Sequence, residues 1–212
     1  MKLIAELCQN HNGDIDIVKD MVVKAKYSGA DIVKIQSIKA NSLTKREEYE
    51  SFRKYSDEYQ RFKSLELSYD DEKEFIHTAK VNNIIPMTTI FSPNHYDYYN
   101  SLGYDYLKLS GYSMRAFDFG KRLDKFNFKH LVFSTSSLHL HDIEKCIKNL
   151  QGVDFTILHC VCLYPTPFEK LNLASIEHLK TLHDKIGFSD HSDNLLSSKQ
   201  AKNKTFKWWD MF

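Results

Sequence analysis

Short apolar runs that end in polar side chains alternate with helical segments along most of this chain, and this alternation constrains its fold most. The runs cover residues 2–7, 31–37, 83–90, 105–111, 129–137, 154–162 and 184–190. From residue 83 onward they begin about two dozen residues apart, which is the length of a βα unit. Between them, apolar residues recur at helical spacing, as at Ile15, Val18 and Val22. The pattern predicts seven parallel strands joined by helices.

Polar side chains follow every one of these runs, which distinguishes a barrel from an open sheet. In an open α/β sheet the functional residues lie at one switch point, whereas in a barrel the carboxyl ends of all the strands lie at the same face. We therefore predict an α/β fold with a TIM-type (β/α) barrel over residues 1–196. No eighth strand can be identified in residues 197–212, which have a basic middle and a Trp208-Trp209 pair. The barrel is expected to be incomplete and to end in an atypical tail.

Composition narrows the class of protein. The formal net charge is +1, without the basic excess that nucleic-acid binding usually requires. No apolar run approaches the ~20 residues that span a bilayer, and the first residues lack the apolar core of a signal peptide. The four cysteines lack the spacing of a zinc or redox site. We expect a cytoplasmic protein with reduced thiols and neither nucleic acid nor membrane as a partner.

Two lysines lie within predicted strands. Lys34 and Lys108 interrupt apolar runs, and a lysine there is unfavourable unless it meets an anion. Small hydroxyl residues near the strand ends, including Thr89, Ser134 and Ser189, would suit a phosphorylated substrate. An equally weighted interpretation is that Lys34 extends to the rim, and any one hydroxyl alone is more often structural.

Other polar residues at strand ends allow two interpretations each. Glu6 is a candidate general acid or base, or the ion-pair partner of Lys34. Gln36 lies two residues after Lys34 and points to the same face. His191 could ligate a metal with Asp190 nearby, although a lone histidine usually does not. His159 is expected to be a hydrogen-bonded core residue.

Four motifs, taken together, resemble the sialic acid synthase family, which includes the N-acetylneuraminate, legionaminic and pseudaminic acid synthases. They are IAELCQNHNGD (4–14), SGADIVKIQS (28–37), LHCVCLYPTP (158–167) and GFSDHS (187–192). The resemblance extends in register from residue 3 to about residue 196 and makes Tyr164, in the YPTP motif, a further candidate.

The resemblance implies a barrel enzyme that condenses phosphoenolpyruvate with an N-acetylated hexosamine aldehyde such as N-acetylmannosamine. A divalent metal, Mn²⁺ or Mg²⁺, would polarise the aldehyde, and the family forms homodimers. By position, the phosphoenolpyruvate contacts would be Lys34, Lys108, Thr89, Ser134 and Ser189, the sugar contacts Glu6, Gln36 and Tyr164, and the metal ligand His191. Among these, Glu6, Lys34 and Tyr164 are the candidate catalytic residues.

The sequence also departs from the family pattern. Cys162 stands where the family usually has Asn, Ser136 where it has Gly, and no carboxylate lies near Ser113. The family has a second metal-binding histidine on its eighth strand and a dimerising C-terminal antifreeze-like (SAF) domain, and both are expected to be missing here. The change near Leu196 is interpreted as a truncation or frameshift, so weak or no activity is expected. Alternatives are a non-catalytic remnant or anion-binding module, and a Schiff-base aldolase.

Overall fold

Eight parallel strands close into a barrel in the part of the chain that the computed structural model describes, namely residues 1–43, 47, 50, 51, 53–116, 122–193 and 208–211. They are β1 (Lys2–Cys8), β2 (Ile32–Ser37), β3 (Ile85–Ile90), β4 (Tyr106–Leu109), β5 (His130–Ser134), β6 (Phe155–Cys160), β7 (Ile186–Asp190) and β8 (Trp208–Met211). Each strand pairs with the next in sequence, and β8 pairs with β1. The predicted TIM-type barrel is confirmed.

The prediction that the eighth strand is missing was wrong. Strand β8 pairs with β1 from Lys2↔Trp208 onward and with β7 from Gly187↔Trp208 onward. The strand has only four residues, and an acidic residue, Asp210, interrupts its apolar character, so no alternating pattern reveals it. The rest of the expected tail, including the change near Leu196, falls in residues 194–207 and 212, outside the described residues.

Seven α-helices connect the strands among the described residues. They are α1 (Ile15–Tyr27), α2 (Tyr55–Leu65), α3 (Tyr69–Val81), α4 (Tyr96–Leu102), α5 (Gly111–Ala116), α6 (Leu140–Asn149) and α7 (Ser175–Leu182). Local capping explains where two of them begin. The Asp14 side chain accepts hydrogen bonds from the first turn of α1, and Ser68 and Asp71 form a reciprocal capping box at α3.

The connection between β2 and α3 contains a 3₁₀ turn at Ala40–Ser42 and helix α2. Helix α2 has no buried residue. Within this connection, 44–46, 48, 49 and 52 lie outside the described residues, as do 117–121 after α5.

The core has two parts. An outer layer packs helices against strands, with residues such as Val22 of α1 and Phe75 of α3 fully buried. Inside the barrel, an apolar layer near the amino ends of the strands contains Ile4, Ile32, Met87, Val132 and Leu158. None of the helices in the described ranges is long and apolar enough to cross a membrane.

Candidate active site

A polar layer lies directly above the apolar layer inside the barrel. Side chains two residues apart on a strand share a face, so each apolar interior residue fixes the orientation of the residue two positions later. On this basis Glu6 follows Ile4, Lys34 follows Ile32, Thr89 follows Met87 and Ser134 follows Val132. Strand pairing brings the polar residues together at one level, as in Glu6↔Lys34 and Thr89↔Lys108.

Glu6 and Lys34 form an ion pair inside the barrel, and both side chains are fully buried. The second oxygen of the carboxylate, Oε1, accepts a hydrogen bond from the backbone N–H of Cys8 at 2.8 Å. The ion-pair interpretation of Glu6 is therefore confirmed, and it leaves open whether the same carboxylate also works as an acid or base. Burial pulls the pKa of Lys34 well below its ordinary value, while Asp210 acts in the opposite direction.

Asp210 of β8 joins the two lysines. Its Oδ2 atom forms an ion pair and hydrogen bond with Lys108 Nζ, and its Oδ1 atom lies 3.9 Å from Lys34 Nζ. The Ser189 hydroxyl donates to Oδ2 at 3.3 Å, and the Lys34 ammonium donates to Thr89 Oγ1 at 3.3 Å. Five polar residues, one from each of five strands, thus converge on one buried volume.

The charges of this cluster stabilise one another. Burial would lower the pKa of Lys108, but the attraction of Asp210 outweighs it, so this pKa lies above its ordinary value. Burial would likewise raise the pKa of Asp210, yet Lys108 and Lys34 hold it below its ordinary value. Both groups are therefore charged at neutral pH.

His191 lies at the mouth of the barrel, just after β7. Its Nδ1 atom is 2.9 Å from the carbonyl oxygen of Val161, an acceptor, so Nδ1 carries the proton. Its Nε2 atom faces the hydroxyls of Tyr164 and Ser189, each at 3.4 Å. Burial, aided by Lys108, lowers the pKa of His191 to about 4, which keeps the imidazole neutral and Nε2 able to accept a proton or ligate.

Sequence comparison decides the family. A model of the NeuB family matches residues 21–204. The chain belongs to the NeuB family. The resemblance to sialic acid synthases is thereby confirmed, and the barrel described above is the NeuB-family barrel of this chain.

Curated relatives of this NeuB-family chain have named activities. N,N'-diacetyllegionaminic acid synthase of Campylobacter jejuni is 34% identical over 211 residues, which cover 94% of this chain and 63% of that protein. Pseudaminic acid synthase of the same species is 27% identical, with 94% and 61% covered. The chain therefore spans somewhat less than two thirds of the length of these relatives.

A solved structure has the same fold as this NeuB-family barrel. The N-acetylneuraminic acid synthetase of Leptospira borgpetersenii, crystallised with citrate, superimposes with a TM-score of 0.86 at 21% identity. The superposition covers 99% of this chain and 72% of that one. At this level of identity the comparison establishes the architecture.

Two predicted substrate contacts of this NeuB-family chain, Ser134 and Gln36, form no hydrogen bond with Lys34 or Lys108 among the described residues. Ser134 Oγ accepts from the backbone N–H of Gly111 at 3.2 Å and lies 3.2 Å from Ser136 Oγ, so it secures the start of α5. Gln36 is half-buried near the end of β2, beside Thr89 in register, and its side chain makes no hydrogen bond among the described residues. Their proposed roles remain predictions.

The structure adds residues that sequence reasoning missed. Asp210 is the most important, and its only signal in the sequence was an acid inside a short aromatic run.

His11 is almost fully buried; its Nδ1 atom accepts from Gly13 N at 3.1 Å, and its Nε2 atom has no hydrogen-bond partner among the described residues. His159 donates through Nε2 to Leu171 O at 2.8 Å, as expected for a core histidine.

His191 is the candidate metal ligand of this site. His191 has the tautomer of a ligand, but no group of three or more His, Cys, Asp or Glu side chains in the described ranges could hold a metal ion. A centre made of these protein side chains alone therefore does not fit, because transition metals bound by protein take several such donors.

Proposed function

We propose that this NeuB-family barrel carries the site for condensing phosphoenolpyruvate with an N-acetylated hexosamine aldehyde, resembling N-acetylmannosamine, to a nonulosonic (sialic) acid. Carbon 3 of phosphoenolpyruvate would attack the aldehyde carbon, water would add at carbon 2, and phosphate would leave. Family membership and the named activities of relatives such as N,N'-diacetyllegionaminic acid synthase support this reaction class.

The observation that carries the proposal is the pair of lysines inside the polar layer. Lys34 and Lys108 are both buried, and Thr89 and Ser189 present hydroxyls at the same level. Buried cations with adjacent hydroxyls are the chemistry that binds phosphate and carboxylate, and phosphoenolpyruvate has both. The position at the carboxyl ends of the strands is where barrel enzymes place their chemistry.

The remaining residues would act on the sugar and on protons. Tyr164 is 63% exposed at the mouth and can reach a ligand that enters from solvent. Glu6, held by Lys34, could orient the aldehyde or a water through its carboxylate. A divalent metal, Mn²⁺ or Mg²⁺, would need ligands from the substrates or water besides His191 and would then supply Lewis acidity. None of the steps assigned to the protein residues depends on it.

We further propose that turnover by this chain is slow, because Asp210 already compensates both lysines. The test is to incubate the purified chain with phosphoenolpyruvate, Mn²⁺ or Mg²⁺ and N-acetylmannosamine, and to measure phosphate release and the nine-carbon product by mass spectrometry. We expect product to form at less than about 1 turnover per second, and no product to form with Lys108→Met. Absence of product with any N-acetylated hexosamine would refute the reaction, and faster turnover would refute its impairment.

A second candidate is a non-catalytic anion-binding barrel. The ion pair of Asp210 with Lys108 favours it, because the carboxylate neutralises positive charge that would otherwise stabilise the reacting anion. Calorimetry distinguishes the two candidates: heat of binding with phosphoenolpyruvate, without product in the assay above, supports the binding module.

A further inference from the structure

The carboxylate of Asp210 occupies the place in the barrel where an anionic ligand would find its donors. Lys108 and Ser189 both donate to the Oδ2 atom of Asp210. Its Oδ1 atom is buried without a hydrogen-bond partner, 3.9 Å from Lys34 Nζ. An incoming phosphate oxygen would need the same lysines and the same hydroxyl, so it and Asp210 cannot use them at once.

The charge balance leads to the same conclusion. Glu6 and Lys34 form a pair whose net charge is zero whether the shared proton lies on the lysine or on the carboxylate, and the charge of Lys108 is balanced by that of Asp210. The cluster is therefore neutral as it stands. With Asp210 in place a phosphate would face a neutral cluster and a carboxylate of like charge in a medium of low dielectric, where such repulsion is strong.

We propose that Asp210 is a built-in occupant of the anion subsite and that phosphate-type anions bind Lys34 and Lys108 only in competition with it. Asp210 thus determines the affinity for the anionic substrate. This inference rests on the proposed function in taking these lysines as the anion site, but it concerns any phosphate and does not require the condensation reaction.

The contrary interpretation is that Asp210 serves only to neutralise two buried lysines so that the barrel can close. Buried charges need partners, and an uncompensated lysine is unfavourable. The two interpretations differ in one respect: a purely structural carboxylate leaves phosphate affinity unchanged when it is replaced by an amide of the same shape, provided that the barrel folds.

Titration calorimetry with inorganic phosphate tests the proposal on the intact chain, on Asp210→Asn and on Asp190→Asn. The last is the matched control, because Asp190 is also buried near the mouth and accepts from Ser192 Oγ at 2.7 Å. Asp210→Asn is expected to bind phosphate at least roughly tenfold more tightly, Asp190→Asn is not, and adding Lys108→Met to Asp210→Asn removes the gain. Equal affinity of the intact chain and Asp210→Asn overturns the proposal, as does an equal gain in Asp190→Asn.

A second measurement serves if Asp210→Asn does not fold. In crystals of the intact chain at saturating phosphate, the anion should lie on Lys34 and Lys108, with the Asp210 carboxylate displaced from Lys108. Phosphate bound there beside an unmoved carboxylate, or no phosphate on the lysines, overturns the proposal. Failure of the proposed reaction is seen separately, as absent nine-carbon product with phosphoenolpyruvate and amino sugar, whatever the phosphate result.

Discussion

The ring of Tyr164 stacks on the ring of His191, with 4.3 Å between centroids and 25° between planes. The tyrosine hydroxyl also lies 3.4 Å from Nε2 of His191. The exposed tyrosine thus covers the imidazole from the solvent side while it presents its hydroxyl to the mouth of the barrel. This arrangement separates two contributions of Tyr164, the ring and the hydroxyl, which mutations can test one at a time.

Tyr164→Phe retains the stacked ring and removes only the hydroxyl. Under the proposed function we expect a raised KM for the amino sugar and an unchanged KM for phosphoenolpyruvate, because the tyrosine hydroxyl lies against His191 at the mouth, whereas the proposed phosphoenolpyruvate contacts are the lysines of the polar layer. Initial-rate kinetics with each substrate varied in turn measure this. Tyr27→Phe, on the exposed face of α1, is the control. A change confined to the phosphoenolpyruvate KM would contradict the assignment of Tyr164 to the sugar.

Glu6→Gln should destabilise the barrel strongly. It leaves Lys34 buried with the Asp210 oxygen at 3.9 Å as a more distant counter-charge. Breaking a buried pair from one side typically costs about 3–5 kcal/mol, which denaturant unfolding can measure. The double variant Glu6→Gln/Lys34→Met should recover part of this loss, since no unpaired ammonium remains.

The control for this prediction is the exposed pair of Asp20 and Lys24 on α1. Asp20→Asn should change the free energy of unfolding by no more than about 0.5 kcal/mol. If Glu6→Gln were equally mild, the buried ion pair would not be a significant part of the stability of the barrel.

Glu72→Gln should destabilise the packing of α3 against β2. The buried Glu72 carboxylate accepts from Ser37 at 2.5 Å, Tyr98 at 2.8 Å and Tyr104 at 3.1 Å, and Lys39 Nζ lies 3.3 Å away. A glutamine has one acceptor oxygen for these three donors and no charge for the lysine. We expect a loss of about 1–3 kcal/mol in the free energy of unfolding.

Thermal or denaturant unfolding measures this effect, with Glu74→Gln on the exposed side of α3 as the matched control. Equal stabilities of the two variants would show that the buried network contributes nothing beyond its packing.

The stability of the protein should fall in acid partly through His159. Burial lowers the pKa of this histidine below its ordinary value, although its hydrogen bond to Leu171 O acts in the opposite direction. The folded state then binds fewer protons than the unfolded state, so the contribution is complete above the unfolded pKa of about 6.5 and declines below it. His159→Gln should therefore show a shallower decline of unfolding free energy below pH 6.5.

Denaturant titrations at several pH values measure this slope. His178→Gln, at an exposed position on α7, should retain the slope of the unaltered chain. An identical slope for His159→Gln would place the pH dependence elsewhere in the molecule.

The sequence predicted the parts of this molecule that depend on local pattern. The βα repeat and the polar strand ends follow from residue spacing within a few turns, and the Glu6–Lys34 contact follows from adjacent parallel strands. The contacts of Asp210 could not be predicted, because they join β8 to β2 and β4 across most of the chain. The position of Ser134 depends on the backbone of Gly111, which sequence pattern does not reveal.

The pairing of β8 with β1 has a consequence for how the molecule forms. These two strands are separated by nearly the whole described chain, so their contact carries the largest loop-closure entropy of any strand pair in the barrel. Until they meet, β1 and β7 each present an unpaired edge that can recruit strands of other chains. The pairing of β8 with β1 and β7 is therefore expected to limit the rate of refolding, and aggregation during refolding should rise with protein concentration.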